Sequence, residues 1–384
     1  MDPLSSLASL FDASRAHARL RQTDPVHWSE QLQCWFLTRY EDVAHAFRDP
    51  RLSSARSELF IARYLADKAS LTRDYLRLSK RSMLMTDGAD HARLRKEYGT
   101  GFTHAFVKSW RPVVARVMDE LLAAVRDQGR MELVSDFSAP LVPLILMELF
   151  DIPTKDRKRF RTWIDAAGKF GNVLEAGPVR RANDSMRRME KYLLRHLLRN
   201  EPEERMDVTE LISNVILTLT AGYVATSDQL STGVYNLLIH PNQRLLLRER
   251  PELLTGAVEE VLRYTPSAPL IYRIALDDIP MGGKVLRSGQ WVCLAVAAAN
   301  RDPTAFHEPD CFDITRKPNR HLSFASGPHT CLGAALARQV LARGLEVLFH
   351  SQPGLRLDPE RSRQPKFNGG IFYGFHSLPL VFSS

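Results

Sequence analysis

The chain has 384 residues, 44% of them hydrophobic and 25% charged, with 20 glycines and 22 prolines, ordinary values that exclude a disordered or low-complexity protein. A formal charge of +8 invites a polyanionic partner, but no nucleic-acid module and no aromatic residues interleaved with the basic ones are present, so nucleic acid is not expected. The four cysteines, Cys34, Cys293, Cys311 and Cys331, form no CxxC pair or tight cluster, which excludes a disulfide framework and a zinc site but leaves room for a lone metal ligand.

No linker, low-complexity block or repeat period interrupts the chain, so one large domain spanning residues 1–384 is expected. The opening "MDPLSSLASLFDASRAHARLRQTDP" has no basic region ahead of an apolar run, and nothing later offers the roughly 18 uninterrupted apolar residues of a membrane span. A cytoplasmic, monomeric protein without membrane insertion is the expectation.

In chain order, helices dominate from Asp90 to Asn200. Within them, "TKDRKRFRTW" and "VRRANDSMRRMEKYLLRHLLRN" gather basic residues and are expected as solvated helix faces, some able to dock an acidic partner by electrostatic steering. From Arg205 to His240 the apolar residues recur at helical spacing. Asp207 and Glu210 form a capping-box start, and Pro241 marks the end. Such a helix is about 50 Å long. "NQRLLLRER" and "PELLTGAVEEVLRYTP" predict two more helices, the second opened by Pro251 and closed by Pro266. "GQWVCLAVAAAN" and "HSLPLVF" predict short strands, and "GAALARQVLARGLEVLFH" predicts a helix directly after Cys331. The fold class is mainly α with small β-sheets.

The stretch "HLSFASGPHTCLGAALARQ" places Cys331 between glycines at the mouth of that helix. A thiolate there is stabilised by the helix's positive end and by backbone N–H groups, and Gly327 and Gly333 let the backbone curl close to the sulfur. The site suits a thiolate ligand or a thiolate nucleophile. A nucleophile needs a histidine base; His329 is two residues away, but sequence neighbours rarely form a catalytic pair and no orienting group is evident. A buried inert cysteine explains neither the glycines nor the histidine.

"FASGPHTCLG" resembles the heme-binding loop of the cytochrome P-450 family, the heme-thiolate monooxygenases, through Phe324, Gly327, His329, Cys331 and Gly333. Ala325 departs from the usual glycine. The resemblance covers nearly the whole chain. "DGADHARLRKEYGTGFT" is similar to the stretch in which a His and an Arg, here His91 and Arg95, face the heme propionates. "EEVLR" supplies the structural pair Glu260 and Arg263. "YTPSAPLIYRIALDD" puts Arg273 at a propionate-binding position, and "AANRDPTAFHEPDCFDITR" matches a further signature.

The resemblance implies a single-domain P-450 fold with a long central helix over heme b, Cys331 as the iron ligand, and His91, Arg95, Arg273, Phe324, His329 and Gly333 around the cofactor. A separate ferredoxin or flavodoxin is the expected electron donor, and an acidic one would suit a basic face with Arg93, Lys96, Arg338 and Arg343. Thiolate ligation pushes electron density onto iron and favours O–O cleavage, and buried propionates need cationic partners. A small-molecule, peptidic or carrier-tethered specialised metabolite is the expected substrate, in a pocket with Leu270, Ile271, Phe372 and Tyr373 among its candidates.

One departure bears on mechanism. Where the family carries an acid and an alcohol that relay protons, "AGYVAT" has Val224 and Ala225 after Ala221, Gly222 and Tyr223. Gly222 would permit a local opening of the helix. Thr226 could turn inward as the alcohol, its plainer role being a bond back to a carbonyl. Alternatively, substrate or ordered water carries the protons, or the reaction is a coupling, cyclisation, desaturation or nitration with lighter proton demand. No basic residue lies between Ala221 and Gln229, which argues against a fatty-acid peroxygenase. A non-catalytic heme sensor is the rival from another class.

Overall fold

In the computed structural model, which describes residues 16–168, 170, 174–197, 207–351, 354–361, 366–367 and 372–382, the periodicity after Asp207 folds as one uninterrupted helix, Val208–Ile239. Asp207 caps it by accepting the amides of Thr209 and Glu210 at 2.9 and 3.1 Å. Glu210 does not close the box; it forms an ion pair with Arg93 at 2.9 Å. Pro241, which lacks an N–H, opens the next helix, Pro241–Glu249. Arg205 and Met206, read as the first residues of the long helix, lie outside the described residues.

"PELLTGAVEEVLRYTP" begins with a 3-10 turn, Pro251–Leu253, before the helix Leu254–Tyr264. The expected strand in "GQWVCLAVAAAN" stops early. Trp291–Ala295 is a strand and Val296–Ala299 a helical turn, because a continuous apolar run carries no period to separate the two. "HSLPLVF" divides into Phe375–Ser377, paired with Lys366–Phe367, and Pro379–Val381, paired with Arg130–Glu132 and Arg356–Leu357. The helix after the cysteine is Ala334–Ser351.

The chain divides into two compact units, one from residues 1–52, 109–141 and 225–384, the other from 53–108 and 142–224. The first contains a sheet in the order Val26–Ser29, Cys34–Leu37, Trp291–Ala295, Leu270–Ala275, with Leu52 at its far edge. Its core includes Leu37, Val43, Leu286, Val292 and Leu294, none more than 1% exposed. The second half of the long helix is held in this unit. Gln229 bonds to the carbonyls of Val261 and Thr265 and to the Ser267 amide, and Asn236 to Thr265.

The second unit contains the helices Gly88–Gly99, Thr154–Gly168 and Ala176–Leu197. It also contains the first half of the long helix, where Asn214 accepts the Met83 amide and Thr218 bonds to Tyr98. By length and composition alone the long helix could cross a membrane, with mean hydropathy 1.4. Its buried Asn214, Gln229 and Asn236 are nevertheless hydrogen-bonded inside the fold, as in a core helix.

Candidate active site

The first unit carries the thiol. Cys331 is exposed and lies three residues ahead of the helix Ala334–Ser351. Backbone bonds shape its loop: Ala325 N–H to Leu322 O at 2.8 Å, Thr330 N–H to Gly327 O at 3.1 Å and Cys331 N–H to Phe324 O at 2.9 Å. Gly327 has φ +74°, and a Cβ there would stand 2.9 Å from Phe47 O and 3.0 Å from Arg48 Cγ, so only glycine fits. Gly333 differs, since a Cβ on it would meet nothing within 4 Å. Its side of the loop is open rather than crowded.

Ala325 adopts φ 58°, a left-handed conformation that costs an L-residue roughly 1–2 kcal/mol. This is the position at which the sequence departs from glycine. Ala325→Gly is therefore expected to stabilise the protein by about 1 kcal/mol, less the entropy glycine adds to the unfolded chain. Denaturant unfolding would measure it, and a destabilisation of 1 kcal/mol or more would refute the strain argument.

Behind the loop, two consecutive acids of Leu254–Tyr264 build two networks. Glu260 and Arg263 are each 0% exposed and are joined by a forked pair at 2.7 and 2.8 Å, so the sequence reading of a buried structural pair holds. Arg263 also donates to the carbonyls of Asn300, Pro309 and Cys311. Glu259, which the sequence reading passed over, takes Arg338 at 2.7 and 2.9 Å and His321 at 3.1 Å. Burial alone would raise the Glu259 pKa, but the bonds from His321 and Arg338 outweigh it and hold the carboxyl at about 2. Arg338 in turn lies 4.5 Å over the Phe324 ring, a cation–π contact that fixes the first residue of the loop pattern. The adjacent acids in "EEVLR" were the available signal for this second network.

Arg273 is buried, on the strand Leu270–Ala275. It donates to Tyr272 O at 3.0 Å and its guanidinium carbon lies 5.8 Å from the Phe47 ring centroid. His329 is half-buried. Leu270 is 3% exposed and Tyr373 gives its amide to Ser267 O. Phe372 and Ile271 are half-buried.

The second unit carries His91 and Arg95, four residues apart on Gly88–Gly99 and so on one face of that helix. His91 is buried and Arg95 half-buried, and Arg95 has no hydrogen bond or ion pair among the described residues. The helix entrance is fixed by Asp87, whose carboxylate accepts the Ser53 hydroxyl at 2.5 Å and the amides of Ser54 and Ala55. Sequence reasoning missed this hub, because its partners stand more than thirty residues away.

The middle of the long helix is distinctive. Residues 212–216 and 227–234 are buried, whereas residues 220–226, including Ala221, Gly222 and Thr226, are partly accessible although mostly apolar. The helix does not open at Gly222, which instead faces Leu146, where a Cβ would come within 3.2 Å of Cδ1. Val224, at the acid position, packs toward Gly168, and Tyr223 bonds to Asp165 at 3.1 Å. Thr218 and Thr220 bond back to carbonyls one turn earlier. The Thr226 hydroxyl makes no such bond among the described residues, so the plainer role expected for it is not the one it takes.

This chain matches the family model described as Cytochrome P450 over residues 128–368. It is 35% identical to Cytochrome P450 CYP107DY1 of Priestia megaterium, covering 91% of this chain and 89% of that one. It is 31% identical to the Biotin biosynthesis cytochrome P450 of Bacillus subtilis, covering 94% of each. The solved structure of P450BioI in complex with an acyl carrier protein ligated by hexadec-9Z-enoic acid superposes with TM-score 0.88 at 29% identity, covering 97% of this chain and 98% of that one. The chain belongs to the cytochrome P450 family, and is a monooxygenase whose cofactor is heme b. The residues of the first unit fit that group: an exposed thiol at a helix mouth, an open glycine beside it and a buried arginine.

Proposed function

We propose that this monooxygenase tailors a specialised metabolite with electrons from a separate ferredoxin or flavodoxin, acting as one heme domain with Cys331 as the iron ligand. Arg273, His329, His91 and Arg95 are the propionate partners in this reading, and Phe324 and Gly333 shape the ligand loop. Heme bound through a thiolate supplies an electron-rich iron that favours O–O cleavage. The carrying observation is the Cys331 loop, whose exposed thiol is presented by a backbone that only glycine at 327 can form.

Proton delivery follows from the chain's own side chains. Val224 and Ala225 offer no proton, and the helix winding is regular, so Thr226 is not carried inward by a change of pitch. Substrate or ordered water delivers the protons. The same two residues favour the second reading, in which the product is coupled, cyclised or desaturated rather than hydroxylated. Ala225→Thr is expected to raise oxygen turnover and shift the ratio of product to peroxide. Unchanged values for both would show the missing alcohol to be irrelevant.

The redox-docking face changes in detail. Arg93, Arg338 and Arg343 are engaged with Glu210, with Glu259, and with Asp119 and Glu346. Reversing Arg338 would therefore dismantle the Phe324 support as well as a docking charge. Among the four, Lys96 alone is exposed with no ion pair among the described residues. The substrate class is tested by titrating the ferric protein with aromatic amino acids, fatty acids, terpenoids and short peptides while following the Soret band. A low-spin to high-spin shift identifies the class, and failure of every compound to shift it would count against a free small-molecule substrate.

A further inference from the structure

The net charge is concentrated in two neighbouring helices. Thr154–Gly168 carries five Lys/Arg and two Asp/Glu, and Ala176–Leu197 six and two, so together they hold a net +7 of the chain's +8. At about 100° per residue, Arg180, Arg181, Arg187, Arg188, Lys191 and Arg195 fall within roughly 120° of arc on Ala176–Leu197. All six are exposed, while Val179, Ala182, Met186, Met189 and Leu193 of the same helix are buried. Its two acids are already engaged, Asp184 with Arg187 and Glu190 with Arg77. Arg180, Arg181, Arg188, Lys191 and Arg195 have no ion pair among the described residues.

The result is a ridge of one sign about 22 Å long. Like charges three and four apart, as at Arg187, Lys191 and Arg195, oppose helix formation by a few tenths of a kcal/mol per pair. Nothing in the packing requires that cost, and an acidic partner would remove it. A membrane does not fit, because Val179, Ala182, Met186, Met189 and Leu193 are packed inside the unit and, among the described residues of the helix, Leu194 at 39% exposure is the one large apolar side chain left to insert. Single-stranded nucleic acid does not fit either, because the ridge offers no exposed aromatic for stacking; Tyr192 is half-buried and bonded to Asp156 at 2.7 Å.

Position selects among acidic proteins. The ridge helix packs on Thr154–Gly168 through Phe160 and Tyr192, ring centroids 5.0 Å apart. Thr154–Gly168 in turn meets the long helix at and beside the acid position, through Gly168 with Val224 and Asp165 with Tyr223. A protein docked here is coupled to the oxygen-side helix, which suits delivery of substrate rather than of electrons.

We infer that the Ala176–Leu197 ridge is the docking surface for an acidic carrier protein that presents the substrate as a tethered acyl group. The inference rests on the oxygenase reading above, and is supported by charge complementarity and by the carrier-bound neighbour. The test uses full-length holoprotein and an acyl carrier protein loaded with a hexadec-9Z-enoyl chain, with binding followed by fluorescence anisotropy at several salt concentrations. Arg188→Glu with Arg195→Glu is expected to weaken binding at least about tenfold and to flatten its salt dependence. The control pair Arg126→Glu with Arg248→Glu, equal in charge change and exposed elsewhere, should leave binding intact. Reduction by ferredoxin should be unaffected in both double variants.

Three outcomes overturn the inference: no salt-sensitive binding of the carrier to the parent protein, equal loss in the two double variants, or slowed reduction by ferredoxin with carrier binding retained. Failure of the oxygenase reading is seen separately, as a parent protein without a thiolate-type heme spectrum.

Discussion

Glu260→Ala is expected to destabilise the protein by about 3–5 kcal/mol and to leave little heme-loaded material, because removing one partner strands buried opposite charge. Glu260 accepts from Arg263, from Arg316 at 3.2 Å, from Asn319 at 3.1 Å and from the Asp313 amide at 2.8 Å. One carboxylate thus balances two guanidiniums, Arg263 at 0% exposure and Arg316 at 9% for its side chain. Without it Arg263 is stranded in a dry interior with Arg316 at its margin, and the donors of Arg263 are left with only the carbonyls of Asn300, Pro309 and Cys311. Glu260→Gln keeps the shape and loses the charge, so an intermediate cost is expected. Denaturant unfolding and heme content per chain read the effect. A loss under 1 kcal/mol with normal heme loading would show that the pair does not support the ligand loop.

Cys331→Ser is expected to keep the fold and abolish turnover. The loop is held by backbone bonds at Leu322, Phe324 and Gly327 and by Arg338 over Phe324. None of these uses the sulfur, and the side chain is exposed. In the heme-free protein a stability change within about 0.5 kcal/mol is therefore expected. A hydroxyl is a far weaker electron donor to iron than a thiolate, so the carbon monoxide spectrum of the reduced protein should lose its thiolate character together with activity. Retention of a thiolate-type spectrum would assign the ligand to another cysteine. Of the other three, Cys34 and Cys293 are buried in the sheet, and burial pushes the Cys293 thiol pKa well up, which leaves the exposed Cys311 as the cysteine such a result would point to.

The sheet and the helices were legible to different degrees. The long helix was readable because capping, period and terminating proline agree over more than thirty residues. The helical turn Val296–Ala299 was not, because an apolar run without period does not separate strand from helix. Among the basic residues, sequence could identify Arg93, Arg338 and Arg343 as charges but not that each already has an acid of its own. The partners Glu210, Glu259 and Asp119 lie far along the chain, and only the folded backbone brings them within reach; Glu97 and Glu346, one helical turn from Arg93 and Arg343, are the local exceptions.

What the sequence determined by itself is the chemistry carried by local pattern. The thiol between glycines at a helix mouth, the Glu260–Arg263 spacing and the missing acid and alcohol at Val224 and Ala225 are all short-range facts, because helical periodicity fixes which neighbours share a face. Tertiary structure decided the rest. It put Ala325 in a left-handed conformation and turned Val224 toward Gly168. It used Gly222 for packing rather than for opening the helix, and it left the Thr226 hydroxyl without the back-bond its neighbours make. It also left Arg180, Arg181, Arg188, Lys191 and Arg195 without an ion pair among the described residues while pairing Arg187 with Asp184. Such outcomes depend on which surfaces approach one another, and that is settled by burying apolar area and satisfying buried polar groups across the whole chain.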